Sequence, residues 1–286
     1  MIMKKIGFVD YYVSEWHANN YPAWIEEACA AAGADYKLAY AWGELDVSPK
    51  DGLTTAEWCE KFGAEKCETI EELCEKSDVI VVLAPSDPDT HLRYAERVLP
   101  YGKPTYIDKT FAPDLATAKK IFEIAKKYNT PFFSSSALRY ATELENIPGC
   151  RQIMTTGSGA SADEYIIHQV EMIVKKLGYG ADKIRAEQVG DQWIYRLGYA
   201  DDRCALMTYA PRKLGFTVYM NDGAGNYMYT PVTSDFFKGL IADMVRFFGE
   251  KTVSFDTDET LEVMRIRNGV IIAMQTPDTW VDLTSI

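Results

Sequence analysis

Short apolar runs recur through the first half of the chain, each followed by a stretch with helical periodicity. Residues 5–9, 36–42, 79–84, 105–107 and 131–134 read as buried strands. Residues 21–32, 55–62, 70–75, 90–99 and 114–128 read as helices. In the last of these, Leu115, Ala118, Ile121, Phe122 and Ala125 fall on one side. Gly33 is placed to end the first helix, and Pro22 is tolerated if it stands near that helix's start. A turn is expected at residues 85–89. Strands separated by helices predict parallel pairing, right-handed crossovers and a doubly wound sheet.

Beyond residue 137 the pattern changes. A helix is expected over 163–177, then strand-like runs at 192–199, 203–209, 216–220 and 227–229, joined by turn-forming segments rich in Asp, Asn and Gly. Two long helices near 234–248 and 258–275 close the chain, with Ser234 and Asp258 as expected caps. Trp193, Tyr195 and Tyr199 alternate and share a face, which suits a core or a subunit interface. The fold class expected is α/β: a Rossmann-like doubly wound parallel sheet over 1–137, then an α+β domain over 138–286 built on an open antiparallel sheet. Helices cover one face of such a sheet. The other needs cover, and a homodimer or homotetramer through this sheet would supply it.

Composition narrows the partners. The 286 residues carry a net charge of −12 and a pI near 4.8, which disfavours nucleic acid or an anionic membrane and leaves a small-molecule substrate. No apolar run approaches the ~20 residues of a membrane span. The N-terminus runs into a strand with no secretory pattern, and the six cysteines fit neither zinc spacing nor a disulfide framework. A cytoplasmic protein with reduced thiols is expected. The three histidines lack ligand spacing, so no metal is expected.

The chemistry concentrates at one strand end. The strand at 105–107 runs into Asp108-Lys109, and ligands of open parallel sheets bind beyond the carboxyl ends of the strands. A second stripe, Glu164, His168, Glu171 and Lys175, follows helical spacing, and an imidazole there can take and return a proton. His17 stands at the start of the first crossover, where a helix N-terminus favours anions, and a phosphate contact there competes with a structural role. His91 caps or braces the turn after Ala84, and Arg139 with Tyr140 either reaches substrate or forms a salt bridge.

Taken in order, these segments resemble the Gfo/Idh/MocA family of oxidoreductases. The family's Glu-Lys-Pro strand end stands here as Asp108-Lys109-Thr110, its Asp-x-Gly-x-His-x-x-Asp helix as Glu164 to Glu171 around His168, its Pro…His turn as Pro85 and His91, and its arginine after the last Rossmann strand as Arg139. The resemblance implies an NAD- or NADP-dependent dehydrogenase of a sugar or polyol hydroxyl. It implies Lys109, His168 and Glu171 as catalytic residues and Arg139, Tyr140 and Glu164 as substrate contacts. Asp10, Tyr12, His17, Trp42, Pro85, His91 and Asp108 would lie along the cofactor.

One family feature is missing. The glycine-rich loop that lets backbone approach a diphosphate is replaced by Asp10-Tyr11-Tyr12-Val13-Ser14-Glu15. Asp10 and Glu15 fall near glycine positions, where a carboxylate repels phosphate, and Tyr12 would crowd it. Glu44 or Asp46 stands where an acid would meet the adenosine ribose. The alternative is therefore a family homologue without normal dinucleotide binding, acting as a binding or regulatory protein or as a cofactor-free lyase or isomerase.

Overall fold

A computed structural model describes residues 3–85, 87–212 and 214–286. Residue 86, inside the expected turn at 85–89, lies outside them. The chain forms two units, Met1–Ser135 with Leu240–Thr257, and Ser136–Gly239 with Asp258–Ile286.

In the first unit the elements run β1 (Lys4–Asp10), α1 (Trp16–Ala32), β2 (Tyr36–Gly43), α2 (Thr55–Phe62), β3 (Glu65–Lys66), α3 (Ile70–Lys76), β4 (Val79–Val82), α4 (Pro88–Val98), β5 (Thr105–Ile107), α5 (Leu115–Tyr128) and β6 (Phe132–Phe133). The strands are parallel in the order β3-β2-β1-β4-β5-β6, so the order reverses between β1 and β4. That reversal opens a crevice at the carboxyl ends of β1 and β4, the place where such sheets bind ligands. β1 and β4 are buried along most of their length, which is why they read as continuous apolar runs.

Local signals set the helix ends. Thr54 and Glu57 form a capping box on α2, Asp114 caps α5, and Gly33 closes α1 in the left-handed region at φ 63°. The start of α1 differs from expectation. It begins at Trp16 rather than residue 21, because Glu15 caps it, and Pro22 consequently stands inside the helix.

The second unit contains β7 (Gln152–Gly157), α6 (Ala162–Leu177), β8 (Ala181–Val189), β9 (Gln192–Tyr199), β10 (Cys204–Tyr209), β11 (Thr217–Asn221) and β12 (Tyr227–Pro231). α7 (Phe236–Glu250) follows, then α8 (Glu259–Gln275) and β13 (Trp280–Asp282). Its sheet, β12-β11-β7-β10-β9-β8-β13, is antiparallel except for the parallel pair β7 and β10, so it is mixed rather than purely antiparallel. Thr155, Met207, Tyr195 and Ala186 lie on its buried face, which α6 and α8 cover. Tyr195 and Tyr199 therefore belong to the core. The opposite face carries the cross-strand row Tyr229, Tyr219, Met154, Leu206, Arg196, Arg185 and Trp280. Tyr229, Met154 and Trp280 there are 67%, 46% and 47% exposed.

A single cut after residue 137 does not describe the units. Leu240–Thr257 returns to the first, where the Phe247 ring lies 4.9 Å from Phe133 and the Phe248 ring 5.5 Å from Tyr36. Among the described residues, no helix is long and apolar enough to cross a membrane.

Candidate active site

The carboxyl edge of the first sheet gathers Asp10, Glu15, His17, Pro85, Asp108 and Lys109. Lys109 follows β5, is 9% exposed, and donates from Nζ to the Pro85 carbonyl at 2.6 Å. Asp108 is buried, and its Oδ1 lies 2.9 Å from the Tyr106 hydroxyl. Two residues beside the crevice hold left-handed backbone without being glycine, Ala84 at φ 58° and Thr110 at φ 53°. Each costs about 1–3 kcal/mol, and such strain concentrates where a backbone must aim functional groups.

In the β1–α1 turn, Asp10 and Glu15 accept hydrogen bonds from nearby backbone amides. Asp10 Oδ1 accepts from the amides of Tyr11 at 2.7 Å and Ala84 at 3.0 Å, tying the ends of β1 and β4 together. Its Oδ2 is buried without a hydrogen-bond partner. Burial, with the Glu15 charge beside it, pushes the Asp10 carboxyl well above the usual carboxylate range. Glu15 accepts from the His17 amide at 2.9 Å, from the Ala18 amide, and meets His17 Nδ1 at 3.2 Å. His17 Nε2 stands 3.9 Å from Asp108 Oδ2. Burial alone would lower the His17 imidazole, but the Asp108 and Glu15 carboxylates outweigh it and hold it above its ordinary value.

The other expected cofactor residues have partners of their own. His91 is buried, with Nε2 2.6 Å from the Leu83 carbonyl and Nδ1 3.1 Å from that of Phe111, so it braces the loops after β4 and β5. Burial lowers its pKa. Trp42 packs edge-on against Tyr94 under Arg97, and Tyr12 lies under Lys50. Glu44 is held by Arg93 Nη1 at 2.8 Å and the Tyr94 hydroxyl at 2.5 Å, while Asp46 pairs with Lys66 at 3.0 Å.

In the second unit, His168 on α6 is half-buried, and its Nδ1 lies 2.7 Å from Ser136 Oγ, with Tyr165 and Phe216 beside the ring. Ser136 also caps the short turn carrying Arg139. Sequence reasoning missed it, since nothing distinguishes one serine of the Ser134–Ser136 run. Arg139 is buried and pairs with Glu171 at 2.5 Å and Glu259 at 2.6 Å. Glu171 is thus engaged by Arg139, and Lys175 donates to the Arg139 carbonyl at 2.8 Å. Of the expected substrate contacts, Glu164 is half-buried near the start of α6, and Tyr140 packs where a Cβ on Gly239 would come within 2.6 Å.

A six-stranded parallel sheet whose order reverses between β1 and β4, and a separate mixed-sheet unit, define a Rossmann-type architecture with a second α+β unit. Residues 45–135 match the sequence model of the Gfo/Idh/MocA oxidoreductase family, NAD-binding Rossmann fold. Oxidoreductase YhhX of Escherichia coli K12 is 39% identical over 57 residues, 20% of this chain and 16% of that protein. Among solved structures, myo-inositol dehydrogenase of Corynebacterium glutamicum superposes with TM-score 0.79 at 14% identity, covering 99% of both chains. UDP-N-acetylglucosamine 3-dehydrogenase GnnA of Acidithiobacillus ferrooxidans gives 0.75 at 14%, covering 96% of this chain and 98% of its own. GenD2 from gentamicin A biosynthesis, in complex with NAD, gives 0.78 at 13%, covering 99% and 97%. At these identities the structures establish the fold.

The matched segment begins after α1, so the turn from Asp10 to Glu15 lies outside it. That turn does not fit a diphosphate as it stands. The first amides of α1, the groups that would bind one, already donate to Glu15.

Proposed function

We propose that the protein is a cytoplasmic NAD(P)-dependent oxidoreductase acting on a hydroxyl of a sugar or polyol-like substrate. The observation that carries this reading is Lys109, a buried ammonium at the carboxyl end of β5 inside the family-matched segment, steadied by the Pro85 carbonyl. An ammonium held there donates to a substrate oxygen and stabilises the charge it develops. His168, its ring fixed by Ser136, is the second proton-handling side chain. The substrate class is supported by neighbours named as dehydrogenases of inositol and of a sugar nucleotide. The exposed aromatic row on the second sheet suits a second copy of the chain, as homodimer or homotetramer.

Against a panel of polyols and sugars with NAD and NADP, Lys109→Ala and His168→Ala should each lower turnover ~10²- to 10⁴-fold. His168→Ala should leave cofactor affinity nearly intact. Turnover unchanged in both variants would remove this mechanism.

A second reading rests on the Glu15 cap: a family member without normal dinucleotide binding, working as a binding or regulatory protein or as a cofactor-free lyase or isomerase. Melting curves with each oxidised and reduced nicotinamide form separate the two. A ligand at 100 times its dissociation constant adds ~2.7 kcal/mol of stability. Silence toward all four forms favours the second reading.

A further inference from the structure

We infer that Glu15 is an internal anion standing where a cofactor's diphosphate would bind, so that a nicotinamide dinucleotide enters only by displacing it. This rests on the oxidoreductase reading and adds a control to the same site. Glu15 is 3% exposed and spends both carboxylate oxygens on the first turn of α1 and on the His17 ring. Those amides and the positive end of the helix are what an incoming diphosphate needs. A carboxylate tethered one residue before the helix competes at high effective concentration.

Three further observations point the same way. Asp10, at the crevice floor, presents a buried oxygen with no hydrogen-bond partner, hostile to a second anion unless the carboxyl is protonated. From Phe8 to Ala32 the chain has no glycine, so backbone cannot replace side chain at close approach. Glu44, placed to meet an adenosine ribose, is instead bound by Arg93 and Tyr94. The adenosine half of the crevice is thus satisfied internally, while at the other edge Lys109 Nζ donates to the Pro85 carbonyl.

The test measures dissociation constants for NADH, NADPH and ADP by tryptophan fluorescence and calorimetry. It compares wild type with Glu15→Gln and Glu15→Ser, serine being a competent neutral cap that keeps α1 started. Removing one unit of like charge should tighten both nicotinamide ligands and ADP by at least ~10-fold in each variant. Wild type that binds NADH while both folded variants bind no tighter would overturn the gate and leave the cofactor reading standing. No binding by wild type or by either variant would sink the cofactor reading and the gate with it.

Discussion

In the second unit, one arginine holds two carboxylates at 2.5 and 2.6 Å. In the first, one imidazole stands 3.2 and 3.9 Å from two carboxylates, with the Asp10 carboxyl kept protonation-prone beside them. Both clusters are buried, but they differ in what can change. A guanidinium stays charged at any working pH and engages a carboxylate with fixed donors, so the Arg139 cluster has one state. The His17 imidazole and the Asp10 carboxyl both have raised pKa values, so their cluster has several. The first arrangement suits a joint between α6, α8 and the turn before them. The second suits a place where an anion arrives and leaves.

That contrast can be broken at either side. The largest effect should come from Arg139→Ala, which strands the buried Glu171 carboxylate and the partly buried Glu259 and should cost about 3–5 kcal/mol of unfolding free energy by denaturant titration. A loss below about 1 kcal/mol would mean the cluster is solvated in solution.

Next is Asp10→Asn. A carboxyl whose folded pKa is raised contributes stability that is present below its unfolded pKa and lost as pH rises through the folded value. The asparagine variant escapes that loss, so its stability relative to wild type should climb by about 1–2 kcal/mol between pH 4 and pH 8. Parallel curves would show that Asp10 titrates normally.

Glu143, in the second unit, behaves in the opposite sense. Burial opposes its ionisation, but the Ser234 hydroxyl and the amides of Thr233 and Ser234 hold it down to about 2. Its contribution is therefore present above the ordinary carboxylate range and lost as pH falls toward 2. Glu143→Gln should flatten the acid limb by about 1 kcal/mol. The smallest effect is expected from His17→Gln. Because the His17 pKa is raised, wild type loses stability as pH rises through that value, and the variant should show a shallower slope from about pH 6.5 to 8, by under about 1 kcal/mol. An unchanged slope would detach His17 from the two carboxylates.

The first unit was legible because its central strands are buried on both faces and its helices carry explicit caps. Thr54 with Glu57, Asp114 and Gly33 all act as their sequence context suggests. β8 was not read. A register shift between Ala181 and Lys183 interrupts its alternation, and charged residues fill the half-exposed positions. β7 escaped for a similar reason: Gln-Ile-Met-Thr-Thr-Gly buries Ile153 and Thr155 but has little apolar contrast. Its parallel pairing with β10 has no local signature at all.

At the site, the sequence pointed to Lys109 and to a carboxylate problem at Asp10 and Glu15. It did not reveal that Glu15 caps α1, although an acid directly before a helix is the signal that would have found it. It also left open whether Arg139 meets substrate or a salt bridge. Its two carboxylate partners come from elements 32 and 120 residues away, a distance no local pattern spans.

The return of Leu240–Thr257 to the first unit has a consequence for biosynthesis. A nascent chain that has emerged only through Ser135 holds every strand of the parallel sheet, yet lacks the aromatic lid of Phe247, Phe248 and Phe255 over Phe133 and Tyr36. On the ribosome, this half of the protein cannot complete its aromatic packing until nearly all of the chain has been made.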